Sequence, residues 1–310
     1  MTARAQAQSG TGARFAPPAL AVAIVAVSFS GIFIRSATSS YAVVVWVRLA
    51  LTIPFLLPLL ARDLRIGMVP RGRGEWALVG FSGACLSAHF LLWTASLSYT
   101  SVASSVLLVS TAPVFVAVLS RRLLGEAASP RLWLGITLAM AGTLITTAGD
   151  VRISGTALFG DLLALGGAIT VTGYILVGRS ASGRWGAAAY SLPCYGLAAF
   201  VALLVAPLAG DVLPTRRTLL ACLGLAVVCT VFGHTVINWT LHHLRATTVS
   251  VSLLGEPPMT ALLAIPLLAE LPPSTTVVGG AVVLAGLALA ITERSPERLR
   301  AELALPTAET

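Results

Sequence analysis

Glu256 is followed directly by Pro257 and Pro258, and all three sit in the apolar run Ser252–Glu270. Proline at 257 removes an amide donor and crowds the preceding turn, so carbonyls near Leu253 and Leu254 are expected to lack partners. In a lipid solvent such a break survives only where protein or a water-filled cavity satisfies it. The break and the carboxylate therefore point to one place, an internal cavity. A carboxylate there can load and release a proton. The alternative is a structural glutamate bonded to a neighbouring helix.

Other polar side chains fall in apolar runs at helical spacing. His89 and Trp93 are four residues apart and share a face with Ser96. Imidazole titrates near neutrality, and indole offers a flat face and one donor. His234 and Asn238 repeat the same spacing. Both pairs are candidates to line a binding cavity, with helix–helix hydrogen bonding as the alternative. Arg48 lies within another run. It can snorkel to the surface, pair with Glu256 or face an anionic substrate group. His89, His234 and Glu256 offer a two-histidine, one-carboxylate set. No local pattern such as HExxH supports a metal, so none is expected.

These residues must be positioned by long apolar elements. The chain has 310 residues, 56% hydrophobic and 10% charged, against about 25% charged in a soluble domain. Ten runs approach the roughly 20 residues that cross a hydrocarbon core. They are 17–34, 41–60, 76–97, 101–120, 131–148, 156–177, 187–207, 218–238, 247–269 and 275–291. The reading is an all-α polytopic membrane protein. All four cysteines lie in these runs, as small buried apolar residues.

The net charge is +8 and every basic residue is arginine. The arginines fall in links between spans, so topology explains them better than nucleic acid does, and no nucleic-acid partner is expected. With the N-terminus inside, alternation gives the cytoplasmic side fifteen arginines and the outer side four. Both termini, 1–16 and 293–310, are then cytoplasmic tails. The lysine-free, alanine-rich composition is that of a GC-rich bacterial genome. The expected location is therefore a bacterial cytoplasmic membrane.

The two halves are related. A shift of 144 residues places Arg35-Ser36-Ala37 on Arg179-Ser180-Ala181, Pro113 on Pro257 and Glu126 on Glu270. It also places Gly135 on Gly279 and Gly142 on Gly286, with no gap. Each half, 17–148 and 156–291, holds five spans. An odd number inverts the second copy, which is a transporter signature. Shared residues read as scaffold: Pro113 with Pro257, the glycine pairs, and Glu126 with Glu270. Glu256 falls on Ala112 and is not shared. His234 falls on Phe90, next to His89, so the two histidines are expected to face each other. Asp161 reads as a cap or interface residue, and His242 and His243 as solvated in a link.

The segments Thr100–Pro113 with Gly125-Glu126, and Ala246–Pro257 with Ala269-Glu270, resemble the drug/metabolite transporter superfamily in its EamA-type, ten-helix branch. The resemblance covers residues 17 to 292. It implies two inverted five-helix repeats, a central cavity, and transport without ATP or another cofactor. It also implies export of amino acids, metabolites or drugs, and an arginine at the place of Arg48 resembles the family pattern.

The reading is a proton-coupled secondary exporter of a small molecule, and not an enzyme. Glu256 is the coupling candidate. His89, Trp93, His234, Asn238 and Arg48 line the cavity, and Pro113, Pro257 and Pro258 mark helix breaks. Partners are a small-molecule substrate, protons and membrane lipid, with a homodimer left open. The alternative is an exchanger or facilitator of phosphorylated or sugar compounds, or a lipid flippase, without proton coupling.

Overall fold

The computed structural model describes residues 3–147, 155–268 and 273–291. Arg152, Glu270 and the tail 293–310 lie outside the described residues. Among the described residues the chain is helical throughout, apart from its links.

The first half runs through α1 (Ala3–Ser28), α2 (Ser30–Ser36), α3 (Tyr41–Arg65), α4 (Gly72–Ser96), α5 (Val102–Val109), α6 (Ala112–Leu123) and α7 (Pro130–Thr147). The second half opens with α8 (Gly155–Ser180) and α9 (Ala187–Val205). Then come α10 (Arg216–Gly224), a π-helical stretch (Leu225–Thr235) and α11 (Val236–Thr240), continuous with one another. Next are α12 (Ala246–Ser252), a 3-10 turn (Leu253–Gly255) and α13 (Glu256–Leu268). The last helix is α14 (Ser274–Ile291).

Eight stretches are long and apolar enough to cross a membrane: α1 with α2, α3, α4, α5 with α6, α8, α9, α10 through α11, and α12 with α13. The remaining expected spans, 131–148 and 275–291, are the 18-residue helices α7 and α14.

The element boundaries recur along the chain. Gly72, where α4 begins, stands 144 residues before Arg216, where α10 begins, and Ser96 stands the same distance before Thr240. Pro130–Thr147 and Ser274–Ile291 share that offset. So does the break at Ser110–Thr111 with the turn at Leu254–Gly255. Packing follows the same rule. Helix α4 packs on α8, and its offset partner, the π-helical stretch, packs on α1. Helix α6 packs on α8, and α13 on α1. The pairs α3–α9 and α7–α14 are their own counterparts.

The breaks have local causes. Pro113 and the pair Pro257-Pro258 sit in the first turns of α6 and α13, where their missing amide hydrogens leave no intrahelical bond unmade. The expected loss of partners near Leu253 and Leu254 takes the form of a tightened 3-10 turn.

Helices α7 and α14 meet backbone to backbone through the four repeat glycines. A Cβ on Gly142 would lie 2.5 Å from the Val283 nitrogen and 2.6 Å from the Gly279 oxygen. A Cβ on Gly286 would lie 2.6 Å from the Ala139 nitrogen and 2.7 Å from the Gly135 oxygen. Small residues allow this approach where lipid gives no hydrophobic drive for helix association.

The arginine-rich links touch one another at one end of the bundle. The Gly186 amide donates to the Met68 carbonyl at 2.8 Å. Arg179 Nε meets Glu126 Oε1 at 2.6 Å, and the other Glu126 oxygen accepts from the Ala246 amide at 3.1 Å. This single carboxylate ties α8 and the start of α12 to the α6–α7 link, the structural work expected of Glu126. At the other end, Ser40 donates from its amide to Asp211 at 3.1 Å, and the Thr100 hydroxyl donates to Asp161 at 2.8 Å.

A methyl group added at Gly142 has no room, whereas Gly80 has nothing within 4 Å of its Cβ position. Gly142→Ala is therefore expected to destabilise the detergent-solubilised protein by about 1–3 kcal/mol. Gly80→Ala is expected to leave it unchanged or slightly more stable, because alanine is the better helix former. Thermal unfolding of the two variants side by side checks this.

Candidate functional site

Two interrupted helices meet at Glu256. Helix α1 ends at Ser28 and α2 restarts at Ser30, facing the point where α12 gives way to α13. The Ser30 hydroxyl donates to Glu256 Oε1 at 2.9 Å. The Ser28 hydroxyl donates to the Glu256 carbonyl at 3.3 Å, and Thr260 donates to the Ser28 carbonyl at 2.8 Å. The groups freed by one break are thus answered by side chains from the other.

Arg48 on α3 is 2% exposed, so it does not snorkel. Its Nη2 donates to the Thr230 hydroxyl at 3.3 Å, and its guanidinium lies 4.6 Å from the centroid of the Phe90 ring. It is within electrostatic reach of Glu256 yet forms no ion pair with any carboxylate among the described residues. Its Nε is buried without a partner.

Phe90 ties the histidines to this centre. The His234 ring meets Phe90 edge-on at 5.7 Å, and the His89 ring lies 5.3 Å from it at a tilt. Both histidines are within electrostatic reach of Arg48, and His234 of His89. They face the same ring rather than touching each other. His89 Nδ1 bonds the Gly167 carbonyl at 2.9 Å. A carbonyl only accepts, so Nδ1 carries the hydrogen and Nε2 of the neutral ring is left as an acceptor. The Trp93 indole stacks on His89 at 6.2 Å, nearly parallel, and its Nε1 is buried without a partner.

His89, Trp93, His234 and Glu256 each keep some accessible surface. A hollow of about 300 Å³ lined by Arg121, Arg122 and Trp133, among others, belongs to the end of α6 and includes none of these residues.

His234 projects from the π-helical stretch. Within it, the hydroxyls of Thr230 and Thr235 each donate at 3.0 Å to a carbonyl five residues back. The widened turn leaves those carbonyls short of regular partners, and the threonines supply them. Two glycines let α1 and α2 lie against it: a Cβ on Gly224 would sit 2.5 Å from Phe33, and one on Gly233 would sit 2.5 Å from Val27.

Asn238 belongs to a neighbouring cluster. It is 2% exposed, and its amide nitrogen donates to the Tyr174 hydroxyl, to Ser191 at 2.7 Å and to Tyr195 at 3.4 Å. Tyr195 in turn meets Thr235 at 3.4 Å, and Tyr190 donates to the Tyr174 carbonyl at 2.7 Å. Asn238 thus makes helix–helix hydrogen bonds to α8 and α9, the alternative weighed beside cavity lining. The sequence reading missed Ser30, Phe90, Thr230 and the three tyrosines. Phe90 had a signal, its register with His234 in the repeat. The others are common residues whose roles come from neighbours distant in the chain. His242, read as solvated, is partly buried in the α11–α12 link. Burial, with His243 and Arg179 nearby, pushes its imidazole down to about 4. His243 packs on Trp239 with ring centroids 4.7 Å apart.

Among known proteins, the sequence matches the profile of the EamA-like transporter family twice, over residues 16–148 and 158–292. The chain belongs to the EamA-like transporter family. This EamA-like protein is 27% identical over 231 residues to an uncharacterized transporter of Archaeoglobus fulgidus, covering 72% of this chain and 78% of the relative. A protein of known crystal structure shares its fold with a TM-score of 0.75 at 19% identity, over 89% of this chain and 96% of that one. The EamA-like chain is thus a multi-pass membrane protein of a transporter family.

Removing the Asn238 amide takes a donor from the buried hydroxyls of Tyr174 and Ser191. Asn238→Ala is expected to destabilise by about 1–3 kcal/mol. A melting temperature equal to that of the parent protein would show that the tyrosine cluster stands without it.

Proposed function

We propose that this EamA-like protein is a proton-coupled secondary transporter that exports a small metabolite, amino acid or drug-like compound by alternating access. Its scaffold is ten spans in two inverted five-helix repeats, 17–148 and 156–291, with both termini in the cytoplasm of a bacterial cytoplasmic membrane. The 144-residue recurrence of helix boundaries and the paired matches of the family profile support the repeat. The arginine-rich links gathered at one end support the orientation. The direction, export, rests on the resemblance to exporters.

One observation carries the mechanism. Glu256, in the second half, takes its side-chain hydrogen bond from Ser30, in the first half, where the interruptions of two helices meet. Rocking of one half against the other must strain or break that bond. The carboxylate's readiness to hold a proton then changes with the state of the transporter, which is the requirement for coupling. His89 and His234, on either flank of Phe90, supply further groups able to take a proton or bond a substrate. The alternative of an exchanger for phosphorylated compounds needs a cluster of basic groups in the cavity. Among the described residues Arg48 is the buried arginine, and no second one joins it.

The test uses purified protein in proteoliposomes with a pH-sensitive dye inside and an imposed pH gradient. A panel of amino acids, amines and sugars is applied to wild type and Glu256→Gln. Substrate-dependent proton flux in wild type, lost in the variant, is the expected result. Substrate flux without proton movement, unchanged in Glu256→Gln, would make the protein a facilitator with a structural Glu256.

A further inference from the structure

We infer that the transported compound carries a free carboxylate, and that this group docks on Arg48 with the Trp93 indole as a second donor. The inference rests on the transporter reading and narrows its substrate class: acids are selected, while neutral compounds and lone amines are not.

Arg48 carries a charge that has no way to disappear. A buried lysine or histidine can shed its proton, but a guanidinium does not do so in proteins. Arg48 is 2% exposed, so its charge is held away from water. A buried charge without a compensating ion costs several kcal/mol. The contacts found are weak compensation. Thr230 offers one neutral hydroxyl at 3.3 Å, and the Phe90 face one cation–π contact at 4.6 Å. The thiols of Cys222 and Cys229 and the Tyr195 phenol lie in the same neighbourhood and are weak acceptors. Glu256, the one carboxylate within electrostatic reach, stays beyond ion-pair contact, and its Oε1 is occupied by Ser30. Of the readings open for Arg48, snorkelling and pairing with Glu256 are thereby removed. An exogenous anion remains.

The unpartnered atoms describe that anion. Arg48 Nε and Trp93 Nε1 are both buried donors without acceptors. Phe90 lies under Arg48, and Trp93 follows Phe90 by three residues on α4. Two donors on a ligand's anionic end, beside the flat faces of Phe90, His89 and Trp93, fit a single planar carboxylate on an apolar or aromatic body. A phosphate would ask for more positive charge than one guanidinium supplies. A carboxylate on Arg48 also brings a second negative charge into the space shared with Glu256. Its binding is thereby linked to the proton on Glu256.

The test pairs acids with their amides: phenylacetate with phenylacetamide, and L-leucine with L-leucinamide. Binding is read as thermal stabilisation of the full-length protein in detergent, and flux in the proteoliposomes above. The expected result is that at least one acid binds and moves while its amide does not. Arg48→Gln is expected to weaken acid binding about 10- to 100-fold, the loss of a hydrogen-bonded charge. Arg48→Lys, which keeps the charge but not the fork, is expected to fall between. Each variant's melting temperature without ligand shows whether it is folded. If Arg48→Gln does not fold, Trp93→Phe, which removes one donor and keeps the ring, is expected to weaken acid binding at an unchanged amide response. If no acid in the panel binds, or amides and amines bind equally well, the inference is wrong. Flux of neutral or cationic compounds alone sinks the inference and leaves the transporter reading. Acid binding with no flux of any compound does the reverse.

Discussion

The hydrogen bond from Ser30 to Glu256 joins two of the places where the chain stops being a regular helix. In hydrocarbon, a backbone group left without a partner costs several kcal/mol, so spans are normally unbroken. Two of the interrupted spans meet here, with their interruptions bonded to each other. Ser28, Ser30 and Thr260 answer the groups that the interruptions release. The one ionisable side chain at this junction can remain there because its oxygen has a donor. Around that junction the packing must leave room, and the inner faces of α3, α4 and the π-helical stretch supply the remaining polar groups.

The architecture separates what holds the halves together from what works between them. Helices α7 and α14 pack at near-backbone contact through glycines that recur in both halves. Pro113 and Pro257 recur likewise, and both begin new helices. Glu256, His89 and Arg48 do not recur: their repeat positions hold Ala112, Gly233 and Leu192. Phe90 and His234 stand 144 residues apart, and their rings meet edge-on.

Much of this was legible because the solvent is lipid. Apolar runs, arginines in links and glycines at a seven-residue spacing are strong signals when polar backbone and charge are so costly. The boundaries of α4, α9 and α14 follow the runs read from sequence to within a few residues. The candidate residues Arg48, His89, Trp93, His234 and Glu256 do gather. Asn238 does not join them in the same way. Its four-residue spacing from His234 places it one turn away, but the tyrosines of α8 and α9 claim its amide. His242 was misjudged for a related reason: position in a short link does not reveal that α8 and its following turn fold over that link.

The sequence by itself determined the number and length of the apolar elements, the recurrence at 144 residues, and the cost of every ionisable group placed among them. Those follow from composition and order along one chain, where the energetic rule is local and severe. The tertiary structure alone decided which groups meet. It put Ser30 on Glu256, withheld Glu256 from Arg48, and set Phe90 beneath the guanidinium with two histidines on its flanks. Such pairings depend on helix rotation and on close approach permitted by glycines far apart in sequence. A change of a few ångströms there separates an ion pair from a free charge, and no one-dimensional pattern records it.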